Sequence, residues 1–341
     1  GPLTSPTDHH TIPSFLFHKT SSRPYHHRVA IVDPTSALSL TFLQLRARIA
    51  SAARALSSLG IRQHDVVLIL SPNSVHFPVV FFATVSLGAI ATTVNPVYTG
   101  GEIAKQATDS RAKLILAHPD LIHKVSGLSV PILAIYSKDR SGLESLSDVE
   151  GRSASHPLPD VRILPTDTAA LLYSSGTTGV SKGVVLSHRN FVAAAVQRNA
   201  EAEELGEHDL SYFVAVPFFH IYGLGVILFG QLQRGNTIVC VPRFDFVEML
   251  EIIQAYSITN LPLVPPIMIA LAKSDVALKY DLSSVNEITS GAAPVGKETL
   301  QDVVDRFKIP DVRQVCISSP LPLFLPGSLQ SSRFISSEDN M

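Results

Sequence analysis

Between Leu171 and Asn190 the chain concentrates groups suited to holding an anion. Ser174, Ser175, Thr177, Thr178 and Ser181 offer five hydroxyls, Gly176, Gly179 and Gly183 are interspersed among them, and Lys182 adds a cation. Glycine lets backbone N–H groups approach a phosphate closely, hydroxyls donate to its oxygens, and an ammonium follows its charge. The stretch reads as a phosphate-binding loop. A glycine and serine surface turn would account for residues 174–179, but not for the lysine or the apolar runs on both sides. A Walker-type loop does not fit either: G-x-x-x-x-G-K-S/T needs glycine before the lysine and a hydroxyl after it, where Ser181 and Gly183 stand.

Two further clusters could do chemistry. Residues 216–223 read Val-Pro-Phe-Phe-His-Ile-Tyr-Gly, placing His220 and Tyr222 in an apolar, aromatic run. A lone histidine there is ordinarily a hydrogen-bonded core residue, and the residues alone leave that reading open beside a catalytic one. Residues 290–297 read Ser-Gly-Ala-Ala-Pro-Val-Gly-Lys. Small residues at the carboxyl end of a strand leave room for a flat ring, although an ordinary strand-to-helix turn has the same composition.

The elements that must position these clusters alternate. Val29 to Val32 begins a strand, and Thr41 with Gln44 forms a capping box for a helix running to Gly60. Val66 to Leu70, Ala89 to Val94 and Lys113 to Ala117 read as strands. Between them lie a buried helix reaching Leu87 and a short one capped by Thr99 and Glu102. Ala169 to Tyr173 leads into the loop, and Val184 to Leu186 returns from it, so the loop joins two strands. Ser187 caps the next helix. Further on, 246–255 reads as a helix, 260–264 and 285–289 as strands, and Lys297 to Phe307 as a helix. Parallel strands need helical crossovers, so the expected class is α/β, with doubly wound, mostly parallel sheets and helices on both faces. Residues 1–28, rich in Pro, His, Ser and Thr, are expected to be an irregular surface lead-in, with His9, His10, His26 and His27 solvated rather than metal-bound. Residues 139–165 read as a surface excursion.

The loop resembles the signature S-S-G-T-T-G-x-x-K-G-V of the adenylate-forming (AMP-binding) enzymes, the acyl-CoA synthetases and their relatives. Phe219 to Tyr222 and Gly291 to Pro294 are similar to segments of the plant 4-coumarate:CoA ligase branch. The resemblance runs from Val29 to Gln314, with its three motifs in the family's order. It implies the N-terminal large domain of that family. It also implies the family's chemistry, in which a carboxylic acid and ATP give an acyl-adenylate and pyrophosphate and the CoA thiol then displaces AMP. On this resemblance Ser174, Ser175, Gly176, Thr177, Thr178, Gly179 and Lys182 hold the phosphates. Gly291, Ala292 and Ala293 back the nucleotide, His220 places the carboxylate, and Tyr222 with Ala292 lines the acyl pocket. His220 and Lys182 are the catalytic candidates, and ATP, Mg2+ and CoA are the implied cofactors.

After Gln314 the family continues with a Gly-Tyr-Gly-x-Thr-Glu segment whose threonine and glutamate serve ATP and Mg2+. Here the chain reads Val315-Cys316-Ile317-Ser318-Ser319-Pro320, then a Leu, Pro and Ser-rich run to Met341. Residues 315–341 are therefore expected to be a divergent, disordered tail that leaves a sheet edge open. The chain is expected to be a truncated or alternatively spliced ligase, catalytically incomplete, or else a nucleotide-binding pseudoenzyme. A formal charge of −2 with interspersed signs gives no footprint for nucleic acid. The long uncharged stretches are broken by polar residues and read as core rather than membrane spans. Two isolated cysteines support neither a disulfide framework nor a cysteine metal site and fit a reducing compartment such as the cytosol. The terminal Asp339-Asn340-Met341 is not a peroxisomal Ser-Lys-Leu-type signal.

Overall fold

The chain enters its core earlier than the proline and histidine content of residues 1–28 suggests. Ile12–Leu16 forms a short helix, α1, that buries Ile12, Phe15 and Leu16. The Thr11 N–H donates to Ser14 Oγ at 2.9 Å, and the Ile12 N–H donates to the buried His188 Nδ1 at 3.2 Å. Three apolar side chains in five residues are enough to dock a helix too short to show periodicity, which corrects the expectation of an irregular lead-in. His10 lies against Phe15 and His18, with ring centroids at 5.3 and 4.7 Å, rather than free in solvent. The computed structural model describes residues 9–18, 27–137, 144–174, 182–204, 206, 208–291, 294–315 and 331–335.

Val29–Asp33 (β1) and Leu38–Thr41 (β2) form a hairpin that hands the chain to α2, Phe42–Ser58. The expected capping box is present, with Gln44 N–H donating to Thr41 Oγ1 at 3.2 Å and Thr41 N–H to Gln44 Oε1 at 2.8 Å. Val66–Leu70 (β3), α3 (His76–Ser86), Ile90–Val94 (β4), α4 (Gly100–Asp109) and Ala112–Ala117 (β5) then follow the expected alternation. Ile132–Ala134 (β6), α5 (Leu146–Arg152), Thr168–Ser174 (β7) and Lys182–Ser187 (β8) complete a six-stranded sheet in the order β6-β5-β3-β4-β7-β8. All its neighbours are parallel except β7 and β8, which pair antiparallel as the two arms of the loop. Residues 139–165 are not all surface excursion: a Ser145 and Asp148 capping box starts α5, and Leu146 and Val149 are buried.

The second half builds the other sheet. After α6 (His188–Glu204) come Ser211–Val214 (β9), a π-helical segment Tyr222–Phe229, α7 (Gly230–Gln233), Thr237–Cys240 (β10) and α8, Phe246–Tyr256. Asn260–Leu263 (β11), α9 (Pro265–Lys273), Glu287–Ser290 (β12), α10 (Lys297–Phe307), Asp311–Val315 (β13) and Ser331–Ile335 (β14) follow. The sheet order is β14-β13-β12-β11-β9-β10-β1-β2. The tail thus contributes a strand, antiparallel to β13, that covers the edge expected to stay open. Its prolines end at Pro326, and nothing in Ser-Ser-Arg-Phe-Ile blocks a ladder.

α3 is apolar all round and buried from Phe77 through Val85, as a helix packed on every side must be. Phe81 and Phe82 on α3, Phe191 on α6 and Phe229 at the end of the π segment form one ring cluster, with centroids 5.4 to 6.2 Å apart. Among the described residues no helix is long and apolar enough to cross a membrane.

Burial holds the His188 imidazole at a pKa of about 4, against an ordinary 6.5, and its neutral Nδ1 accepts the α1 backbone N–H. Above pH 6.5 folded and unfolded chains both carry neutral imidazole. As pH falls the unfolded chain takes up a proton that the buried ring refuses, so about 3 kcal/mol of stability is lost between pH 6.5 and 4. His188→Gln keeps an acceptor and cannot titrate. Urea unfolding of this variant at pH 7.5 and 5 is expected to show a shallower decline than the parent; an equal decline would place the acid sensitivity elsewhere.

Candidate active site

The carboxyl ends of several parallel strands converge on the segment after β9. Asn73, in the turn that follows β3, donates from Nδ2 to the Val216 carbonyl at 3.0 Å and accepts the Phe218 N–H on Oδ1 at 2.8 Å. Thr93, near the end of β4, donates to the Phe219 carbonyl at 2.7 Å. One sheet therefore grips the peptide immediately before His220. The other sheet holds its far side, since the Tyr222 hydroxyl is hydrogen-bonded to Thr289 of β12. This is the crevice beyond strand ends where open α/β sheets bind ligands.

His220 stands exposed in this crevice. Its Nδ1 accepts the Tyr222 backbone N–H at 3.3 Å, which assigns the ring proton to the outward Nε2. Partial burial lowers the His220 pKa, so the ring stays a neutral single donor. Burial of the Tyr222 phenol pushes its pKa up, against the opposing pull of the Thr289 hydrogen bond and Arg198. Beneath it lies a buried charge network. Glu287 accepts from Asn260 Nδ2 at 2.6 Å and faces Arg198 at 3.3 Å and Arg313 at 3.5 Å, and Arg313 donates through Nε to Asp311 at 2.6 Å. Arg313 and Glu287 are 4% and 5% exposed, so each charge depends on its partners.

The loop arms arrive one strand away. Thr92 and Thr93 of β4 pair with Leu171 and Leu172 of β7, so β7 leads into the loop beside the strand that holds Phe219. At the loop base Ser174 pairs with Lys182 and Tyr173 with Gly183 across the antiparallel ladder. The Tyr173 hydroxyl donates to Asp109 at 2.5 Å, and a Cβ on Gly183 would come within 3.1 Å of the Tyr173 ring. Lys182 is exposed. Gly291 is buried, its N–H donating to the Leu263 carbonyl at 3.2 Å, next to a buried Ser290 hydroxyl with no partner among the described residues. Ser175, Gly176, Thr177, Thr178, Gly179, Ala292 and Ala293 lie outside the described residues, as does the side chain of Ser174. Among the described residues no group of three or more His, Cys, Asp or Glu gathers as a metal site.

Asn73, Thr93, Thr289 and the Arg198, Glu287, Arg313 network carry no sequence signal that marks them. Asn73 sits in a Ser-Pro-Asn turn that reads only as a break, and the threonines look like ordinary strand residues. The Gly223 position could have been singled out. A Cβ there would lie 2.1 Å from the Pro217 carbonyl oxygen, so no other residue fits without moving the backbone that carries His220. Gly223→Ala is expected to cost about 2 kcal/mol or more, and to lower Tm by several degrees while His220→Ala leaves Tm nearly unchanged. Equal melting of Gly223→Ala and the parent would mean the crevice backbone is free to shift.

The model of the family described as AMP-binding enzyme matches residues 17–315. A probable CoA ligase, CCL5 of Humulus lupulus, is 44% identical over 304 residues, covering 86% of this chain and 55% of its own. Peroxisomal OPC-8:0-CoA ligase 1 of Arabidopsis thaliana is 40% identical (84% and 54% covered), and 4-coumarate–CoA ligase 5 of Oryza sativa subsp. japonica is 39% identical (89% and 56%). The chain spans about half the length of these curated relatives. Among solved structures, the N-terminal domain of FACL13 from Mycobacterium tuberculosis shares the fold with a TM-score of 0.78 at 24% identity, covering 89% of this chain and 75% of that one. A red-emitting luciferase from Phrixothrix hirtus gives a TM-score of 0.78 at 27% identity, with 89% and 60% covered. The doubly wound arrangement and the sequence match agree across nearly the whole chain, which belongs to the AMP-binding enzyme family.

Proposed function

We propose that this chain carries the acid-activating site of a carboxylate:CoA ligase of the 4-coumarate:CoA ligase type. The observation that carries the reading is the clamping of the His220 segment between two sheets, one strand away from the arms of a hydroxyl-rich loop that ends at Lys182. In this reading a carboxylate oxygen attacks the α-phosphorus of ATP, a phosphorus–oxygen bond to the β-phosphate breaks, and pyrophosphate leaves. The CoA sulfur then takes the acyl group and AMP departs. Two anions must meet, so the work is positioning and charge neutralisation.

Lys182, the hydroxyls of Ser174, Ser175, Thr177 and Thr178, and the N–H groups from Gly176 to Gly179 are assigned to the β- and γ-phosphates. Nε2–H of His220 donates to the carboxylate, and a neutral donor aligns that oxygen without pairing away its charge. Tyr222 and Ala292 face the organic acid, a phenylpropanoid or medium-to-long acyl acid. Gly291, Ala292 and Ala293 back the nucleotide, and the buried Ser290 hydroxyl, which has no partner among the described residues, suits a ligand rich in acceptors. Mg2+ bound with the nucleotide would supply further charge neutralisation at the phosphates that Lys182 and the loop hydroxyls are assigned to hold. We place this chemistry in the cytosol, on the strength of a sequence with two cysteines far apart and no disulfide pattern.

The divergence after Gln314 supports a second reading, in which the chain binds nucleotide and turns over little. Calorimetry is expected to show ATP binding that weakens about tenfold in Lys182→Ala, as loss of one charge-assisted contact would give. Carboxylate-dependent ATP–pyrophosphate exchange is expected to be slow and to fall further in His220→Ala. No ATP binding at millimolar ligand would overturn both readings, and exchange at the pace of a complete ligase would overturn the incompleteness.

A further inference from the structure

Lys182 begins β8, which is the last strand of its sheet among the described residues, so the lysine springs from a strand held on one side only. Its neighbour Gly183 brings no side chain to that pairing. Tyr173 lies directly opposite Gly183 in the antiparallel ladder and lays its ring against the glycine. A Cβ on Gly183 would stand 3.1 Å from the Tyr173 Cζ and 3.3 Å from the hydroxyl oxygen. A ring placed across from a glycine restores the packing that glycine lacks at a sheet edge.

The ring is held from a helix outside the sheet. The Tyr173 hydroxyl donates to Asp109, the last residue of α4, at 2.5 Å, and burial together with this hydrogen bond pushes the phenol pKa up, which keeps the proton on the donor. A carboxylate in the last turn faces the negative end of the helix dipole, and no basic residue of that turn offsets it. α4 is anchored in its turn through Gln106, three residues earlier and 4% exposed. Gln106 donates from Nε2 to the Thr92 hydroxyl at 2.9 Å and to the Thr93 carbonyl at 3.1 Å. The Thr92 hydroxyl donates onward to the Leu171 carbonyl of β7 at 2.8 Å, and the Thr93 hydroxyl to the Phe219 carbonyl at 2.7 Å. The helix that holds Tyr173 is therefore tied to the two threonines that grip β7 and the peptide before His220.

We propose that Tyr173 and Asp109 are positioning residues for Lys182. The ring and its carboxylate anchor fix the point from which the lysine leaves the sheet edge, and Gln106 sets that point relative to the His220 segment. Tyr173 and Asp109 act through Lys182 and not by contact with the nucleotide. The proposal rests on the assignment of Lys182 to the β- and γ-phosphates and extends it to two residues of β7 and α4. A cation on a four-carbon stem gains from a fixed origin, because its contact with a phosphate depends on where the stem begins.

The test is calorimetric affinity for ATP and for AMP, which lacks the β- and γ-phosphates. Tyr173→Phe keeps the ring over Gly183 and removes only the hydroxyl. ATP binding is expected to weaken about three- to tenfold in Tyr173→Phe and in Asp109→Ala, with AMP binding unchanged. Asp109→Asn, whose Oδ1 still accepts the phenol proton, is expected to bind ATP as the parent does. In a Lys182→Ala background Tyr173→Phe is expected to add nothing, since residues that act through one group are not additive. Parent-like ATP binding by Tyr173→Phe, an equal loss of ATP and AMP affinity, or a loss that adds to that of Lys182→Ala would overturn the positioning role and leave the assignment of Lys182 standing. Parent-like ATP binding by Lys182→Ala would overturn the assignment itself and the positioning role with it.

Discussion

The side-chain amide of Asn73 joins the two halves of the molecule. Its nitrogen holds the Val216 carbonyl and its oxygen holds the Phe218 N–H, so both ends of one buried group are spent on the same neighbouring strand exit. A buried amide satisfied at both ends admits one orientation, and the cost of leaving either end unpaired keeps the two sheets in register. The crevice with its outward imidazole exists because the peptide before His220 is held from one sheet and the ring of Tyr222 from the other.

That arrangement explains why a histidine can be both ordered and open. The Tyr222 backbone N–H fixes its tautomer, the glycine after Tyr222 lets the π-helical turn close against Pro217, and the outer ring nitrogen has no partner among the described residues. π-helical turns concentrate at functional sites because the wider turn re-aims side chains at the expense of regular packing. Here the expense is met by the phenylalanine cluster formed by α3, α6 and the π segment itself.

Much of this was legible in the chain because it is local. Capping boxes at Thr41, Thr99 and Ser187 announce helix starts through residues three apart, and the runs at Val66 and Leu114 announce buried strands through composition alone. The loop, His220 and Gly291 stand out in the sequence because their residue types are unusual for their surroundings. Asn73, Thr93 and Thr289 were not, since their meaning lies in partners more than sixty residues away. α1 was missed because it is stabilised by docking rather than by its own periodicity, and β14 because a proline-rich approach obscured a short run free of proline.

The pairing of β1 with β10 has a consequence in time. Ile31 takes its place beside Ile238, whereas β3, β4 and β5 find one another within some fifty residues. At a synthesis pace of about 5 to 20 residues per second, the β1–β2 hairpin leaves the ribosome about 10 to 40 seconds before its neighbour in the sheet exists. Throughout that interval Ala30 and Ile31, fully buried in the finished molecule, have no sheet to enter. The first strand of this chain is thus a late arrival in its own sheet, dependent on whatever shields it during synthesis.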